Sequence, residues 1–319
     1  MPKVSTTLSA ADRIGACKVR WGIKRMHFMV PPGLYAIGTP GKDAPVLVTA
    51  NYKMSYDAVR KNLTGRNVWL LVMETFGINV WCAAGKGTFG TEELVRRIQS
   101  SGLARVVSHR RLFLPILGAP GVAAHEVTKR TGFSIRYVAV RARDLPEFLD
   151  NGMVTTGAMR ELTFTTGERL VLIPVELVLA AKSTAIIMAL LGGIFGFSGG
   201  LPAARQAMAA YLGAVLTGLA IAPILLPWLP ARSFSIKGAI AGIIWAIIFV
   251  PWGAQGAPLI TGAALIGLPA VSAFHTLNFT GCTTFTSLSG VKKEMRLSLP
   301  VMGAALAASI LLLIASRFV

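Results

Sequence analysis

The chain has 319 residues, 53% of them apolar, a formal net charge of +18 and three cysteines. Cys17, Cys82 and Cys282 stand far apart with no Cys-x-x-Cys, which excludes an encoded iron–sulfur cluster or zinc knuckle. The dense basic cluster Ser108–Arg111 is short and has no interleaved aromatics, so nucleic acid is not an expected partner. A basic face turned to an anionic inner leaflet accounts for the charge of a membrane-tethered domain.

The charge is uneven. Residues 1–170 carry 24 Lys/Arg and 12 Asp/Glu, whereas residues 171–319 carry 8 and 2. This shift predicts a soluble domain over 1–170 followed by a transmembrane domain over 171–319.

In the first part, apolar β-branched runs alternate with helical patterns. Strands are expected at Ala44–Ala50, Arg66–Met73 and Phe133–Val140, and helices at Ser55–Leu63, Thr91–Gly102 and Val122–Gly132. Thr91 can cap its helix, and Gly102 can end it. The alternation implies an α/β fold with a mostly parallel, Rossmann-like sheet. In such sheets ligands bind in the loops at the carboxyl ends of the strands. The stretch Asn79–Gly90, with Cys82, and the stretch Leu117–Gly121 both fall in such loops. Thr49–Asn51 and Gly118–Gly121 are candidate pocket linings.

Several chemistries compete for the Cys82 loop. A P-loop fails twice, because Val80 stands where its first glycine belongs and Gly87 where Ser or Thr belongs. Gly85, Gly87 and Gly90 match the spacing of a dinucleotide loop, but no acidic residue follows about 20 residues on to hold a ribose. A cysteine nucleophile needs a histidine base, and the sequence selects none among His27, His109 and His125. A thiolate ligand to a soft metal centre suits the small residues Ala83, Ala84, Gly85 and Gly87, against which a flat group could lie. A plain buried cysteine remains the structural alternative.

The second part is built of charge-free runs long enough to cross a bilayer, which takes about 20 apolar residues. Five spans are expected, near 178–199, 206–229, 238–256, 258–276 and 297–316. Arg232, Lys237, Lys292, Lys293 and Arg296 lie on one side of these spans, and Arg205 and Arg317 on the other. The bias places the N-terminal domain in the cytoplasm of an inner-membrane, multi-pass protein. The first residues have no apolar core, so no secretory signal is expected. His275 and Cys282 are seven apart and could handle a metal, although a polar exit from the fourth span is the plainer reading.

Asn79–Lys86, Asn-Val-Trp-Cys-Ala-Ala-Gly-Lys, resembles the signature of the corrinoid protein family of microbial mercury methylation at every position, and the two-part layout resembles that family over the whole chain. The resemblance implies an α/β corrinoid-binding domain, similar to that of the corrinoid iron–sulfur protein, followed by an all-α five-helix transmembrane domain. It implies a cobalamin-type corrinoid cofactor. It places Asn79, Val80, Trp81, Cys82, Ala83, Ala84, Gly85 and Lys86 in a short cap helix beneath the corrin, with the Cys82 thiolate as lower axial cobalt ligand and catalytic residue. The implied reaction passes a cobalt-bound methyl group to Hg(II), giving methylmercury. The implied partners are a ferredoxin-like protein with two [4Fe–4S] clusters as electron donor and an upstream methyl donor, protein or methylfolate, with membrane lipid around the helices. Within the cap helix, Trp81 is expected to shield the cobalt–sulfur bond, Lys86 to pair with a corrin side chain or phosphate, and Asn79 to bond a corrin amide or cap the turn. The alternative is a corrinoid methyl carrier of one-carbon metabolism with another acceptor; a third reading is a membrane transporter or sensor with a cytoplasmic metal-binding domain.

Overall fold

The computed structural model describes residues 1–254, 257–281, 283 and 285–318. The chain forms two compact units, Met1–Thr163 and Phe164–Val319.

The first unit is an α/β sheet of six strands. Val46–Ala50 (β3), Val68–Met73 (β4), Arg111–Leu114 (β5) and Ser134–Tyr137 (β6) run parallel. Lys3–Val4 (β1) and Gly33–Ile37 (β2) extend the β4 edge, β2 antiparallel to β4, giving the order β1-β2-β4-β3-β5-β6. The sheet is thus mixed but mostly parallel, and the edge pair adds to the strands the sequence predicts. Every residue of β3 and β4 is buried, which explains their unbroken apolar runs: helices cover both faces of the sheet.

Those helices begin with Ala10–Arg20 (α1) and Lys53–Lys61 (α2). Val80–Lys86 (α3), Thr91–Ser100 (α4) and Leu103–Val106 (α5) then join β4 to β5, and Ala124–Thr131 (α6) joins β5 to β6. The N-terminal segment is tied to α2 by a partly buried ion cluster. Asp12 and Asp57 each meet both Lys53 and Arg60, and Arg60 Nη1 also donates to the carbonyls of Ser5 and Thr7. The Lys53 ammonium chiefly, with the Ser9 amide and Arg60, holds the Asp12 carboxyl far below its usual range against the opposing effect of burial. Thr91 does not cap α4: Gly90 occupies that position, and the Thr91 hydroxyl accepts from the Ala123 amide at 2.9 Å.

The second unit is helical. Among the described residues four stretches are long and apolar enough to cross a membrane: Thr166–Leu225, Phe234–Gly253, Pro258–Gly281 and Ser289–Ala315. The expected spans at 178–199 and 206–229 both lie in the first stretch. Its backbone leaves helical geometry at Gly200 (φ 73°), with Pro202 following, so a glycine break rather than a loop separates the two. Pro258–Asn278 packs against both Phe234–Gly253 and Leu288–Ala315. Small residues let these helices approach closely: a Cβ on Gly238 or Gly242 would meet Ala273, Thr276, Pro269 or Ser272 within 2.8 Å, the packing of helices in lipid. The Ser272 hydroxyl donates to the Gly238 carbonyl at 2.8 Å. His275 is buried in this packing; Cys282 lies outside the described residues.

Candidate corrinoid site at the carboxyl ends of the strands

In the strand order β4-β3-β5, the chain leaves β3 toward one side and β5 toward the other. The carboxyl ends of β3 and β5 are therefore the switch point where open α/β sheets bind ligands. α3 lies across this point. It follows β4 yet packs on the 3-10 turn Ile116–Gly121 that follows β5.

Glycines make that crossing possible. A Cβ on Gly121 would come within 2.1 Å of the Phe89 carbonyl oxygen and 3.0 Å of Ala84 Cα, and one on Gly118 within 2.5 Å of the Phe89 ring. Gly118–Gly121 therefore seats α3 from below rather than lining a pocket.

The eight residues expected to touch a corrin divide by face. Val80, Ala83 and Ala84 are buried in the core with Phe89, Leu94 and Val122, so their side chains are turned away from any ligand above. Trp81 and Cys82 are half-buried, and Gly85 and Lys86 are exposed. Asn79 caps the helix: its Oδ1 accepts from the Cys82 amide at 2.9 Å. Asn79 is thus committed to the backbone, and the outward face narrows to Trp81, Cys82, Gly85 and Lys86.

Gly85 is the informative member. It sits inside a helix without a positive φ, and a Cβ there meets nothing within 4 Å. Neither conformation nor packing within the chain asks for glycine, which costs a helix about 0.5–1 kcal/mol relative to alanine. The empty space lies one turn along from Cys82, on the same face. Gly87, by contrast, takes φ 80° as the left-handed cap of α3. The glycines at 85, 87 and 90 thus belong to a helix, its cap and the start of the next helix, which is not the geometry of a dinucleotide loop between strand and helix.

The loop before α3 is held rigidly. Asn51, 1% exposed at the end of β3, accepts at Oδ1 from the Thr75 amide (3.0 Å) and hydroxyl (2.9 Å) and donates from Nδ2 to Glu74 Oε1 at 2.6 Å. From α4, Glu93 Oε1 accepts from the Glu74 amide at 2.8 Å and from Arg97 at 2.7 Å. Burial raises the Glu93 carboxyl, but the Glu74 amide and Arg97 and Arg96 outweigh it, leaving its pKa below the usual range. Asn51 thus acts one step behind the pocket it was expected to line. The positioning role of Glu93 has no signature in the sequence, because it depends on the Glu74 amide 19 residues away. Phe76, 62% exposed at φ 53°, forms an apolar rim before the loop turns into α3. A cleft of about 420 Å³ opens beside the far end of α3, lined among others by Gly87, Thr88, Arg96 and Arg130; Cys82 is not in its wall.

Neither His109 nor His125 is hydrogen-bonded to Cys82. His109 lies at the amino end of β5, the opposite edge of the sheet, with Nε2 against the Ala44 carbonyl at 2.9 Å. His125 is exposed on α6 beside Glu126. Among the described residues no three His, Cys, Asp or Glu side chains gather as a metal site. A single Cys82 thiolate suits a metal centre whose other donors arrive with it. A half-buried free thiol beside an open, glycine-flattened helix face meets that requirement, so the residues present fit a flat macrocycle ligated from below.

Residues 24–145 match the model of a family described as the CO dehydrogenase/acetyl-CoA synthase delta subunit. The gamma subunit of the acetyl-CoA decarbonylase/synthase complex of Methanopyrus kandleri is 34% identical over 123 residues, 38% of this chain and 26% of that protein. Its counterpart in Methanocaldococcus jannaschii is 33% identical over 124 residues, and that in Archaeoglobus fulgidus 36% over 97. The chain thus spans about a quarter of the length of the curated relatives it matches, and the family match ends before the apolar helices begin. Over residues 24–145, the unit that holds Cys82 is similar to subunits named for CO dehydrogenase/acetyl-CoA synthase and for acetyl-CoA decarbonylase/synthase.

Proposed function

We propose that the chain is a membrane-bound, corrinoid-dependent methyltransferase in which the Cys82 thiolate is the lower axial ligand of cobalt and Hg(II) is the methyl acceptor. The observation that carries it is the outward face of α3, where Cys82 and the unfilled space at Gly85 lie together over the switch point. The corrinoid, when bound, supplies the methyl group and the cobalt chemistry. The Cys82 thiolate would hold the corrinoid cobalt from α3, and the bound group would supply methyl transfer to an electrophile such as Hg(II). Trp81 and Phe76 keep water from the edge of the site, and Lys86 offers a cation to polar groups of the ligand. The Asn51–Glu74–Glu93 network fixes the cap helix, so the thiolate need not reorganise during transfer.

The eight-residue segment Asn79–Lys86 supports the mercury acceptor. The comparisons support a second reading, a corrinoid methyl carrier of one-carbon metabolism, since the matched family and relatives are named for acetyl-CoA chemistry and none is named for mercury. A ferredoxin-like partner with two [4Fe–4S] clusters is part of the mercury proposal. The test is methyl transfer by the full chain, loaded with methylcobalamin and supplied with that partner, to Hg(II). Methylmercury formation lost in Cys82→Ala is the expected result. A chain that binds corrinoid through Cys82 but yields no methylmercury belongs to the second reading.

A further inference from the structure

α1 and the turn after it carry a surface that the corrinoid reading leaves unused. A reciprocal Ser9–Asp12 cap starts the helix. Its inner face is Asp12, bound to Lys53 and Arg60, then Gly15, whose added Cβ would lie 2.6 Å from the Phe28 ring, then buried Val19. The outer flank is Ile14, Cys17, Lys18 and Trp21, spaced three and four apart so as to share one face. Ile14, Trp21, Ile23 and Met26 are 56%, 49%, 53% and 52% exposed, an unusual density of large apolar side chains for a surface.

Cations surround them. Arg13, Lys18, Arg20, Lys24 and Arg25 lie in a stretch, residues 13–42, that contains no acid. Among the described residues none of the five around Trp21 has an acidic partner; Arg13, Lys18 and Lys24 are exposed, whereas Arg20 and Arg25 are half-buried and Arg20 Nη1 is itself buried. Exposed Trp and Ile set among unpaired Lys and Arg is the composition of a segment that lies in an anionic lipid interface.

We propose that residues 13–26 dock on the anionic headgroups of the bilayer that the chain itself enters. This rests on the reading that the helices of the second unit span a membrane. Tethering by those helices keeps lipid at a high effective concentration beside the segment, so shallow insertion of Trp21 and Ile23 and pairing of the exposed Arg13, Lys18 and Lys24 suffice.

Hydrogen–deuterium exchange tests this on the full chain in three media: phosphatidylcholine nanodiscs, nanodiscs containing phosphatidylglycerol, and detergent micelles. Peptides covering residues 10–27 are expected to exchange roughly fivefold or more slowly in the anionic discs than in the others, while β4 is unchanged. The protection should vanish at about 1 M salt, where the Debye length is about 3 Å, and in the variant Lys18→Glu/Lys24→Glu/Arg25→Glu, with β4 exchange confirming that the variant is folded. Equal exchange in all three media overturns the docking while leaving the spanning reading intact. Protection that appears only on adding an acidic soluble protein overturns it in favour of a protein partner. A chain that never enters discs overturns the spanning reading and the docking with it.

Discussion

Cys82 sits on a helix face whose other side is core, so it can be changed without disturbing packing. Cys82→Ala is expected to leave the thermal transition of the soluble unit within about 0.5 kcal/mol, the range of surface substitutions, while removing methyl transfer. Cys82→His keeps an axial donor of weaker donating power, so it should retain corrinoid and methylate more slowly. Gly85 gives a sharper test because stability and binding move in opposite directions. Gly85→Ala should stabilise α3 by about 0.5–1 kcal/mol. Gly85→Leu fills the space above the helix and should weaken corrinoid binding, read by titration of the visible spectrum. Undiminished binding by Gly85→Leu would mean that the macrocycle does not lie on this face.

At the scale of elements, the account rests on the loop Glu74–Asn79 being held before any ligand arrives. Asn51→Leu removes the acceptor of the Thr75 amide, whereas the Thr75 hydroxyl keeps the Ile78 carbonyl at 2.7 Å. Leaving that buried amide unpaired costs about 1–3 kcal/mol, and amide exchange across residues 74–79 should rise more than in β4. Glu93 adds a pH dependence. Its folded pKa is depressed, so its contribution is complete above the ordinary glutamate range of about 4.3 and is lost as pH falls through the depressed value. The protection factor of the Glu74 amide, which is referred to the intrinsic exchange rate at each pH, should therefore fall in acid, and more in the wild type than in Glu93→Gln. Much of this layer was legible in the sequence: β3, β4, α4, α6 and β6 follow from apolar runs and helix ends within a few residues. β2 was not, because its burial depends on an antiparallel partner 35 residues away in sequence. Nor did periodicity alone show α3, seven residues long and carried by a capping asparagine; the motif resemblance supplied it. The glycines at 118 and 121 looked like a binding loop because a glycine that avoids a clash and one that admits a ligand read alike in one dimension.

For the whole molecule, composition divided the chain at residue 170 and contact structure divides it after Thr163; the difference is the short capped helix Thr166–Leu170, which the second unit includes. Hydropathy located the apolar helices but not the glycine break that joins two of them. The membrane reading predicts that alkaline carbonate washing leaves the full chain in the membrane pellet and that detergent releases it; release by carbonate alone would contradict it. The acceptor belongs to this scale too, because it depends on a redox partner as well as on the site. The central claim is narrower, that the thiol on α3 ligates cobalt. Its most direct test is the visible and EPR spectrum of the full chain in detergent, reconstituted with cobalamin, beside Cys82→Ala. The account predicts a base-off corrinoid with a thiolate-perturbed band in the wild type that is missing from the variant. Identical spectra, or no corrinoid bound by either protein, would contradict it.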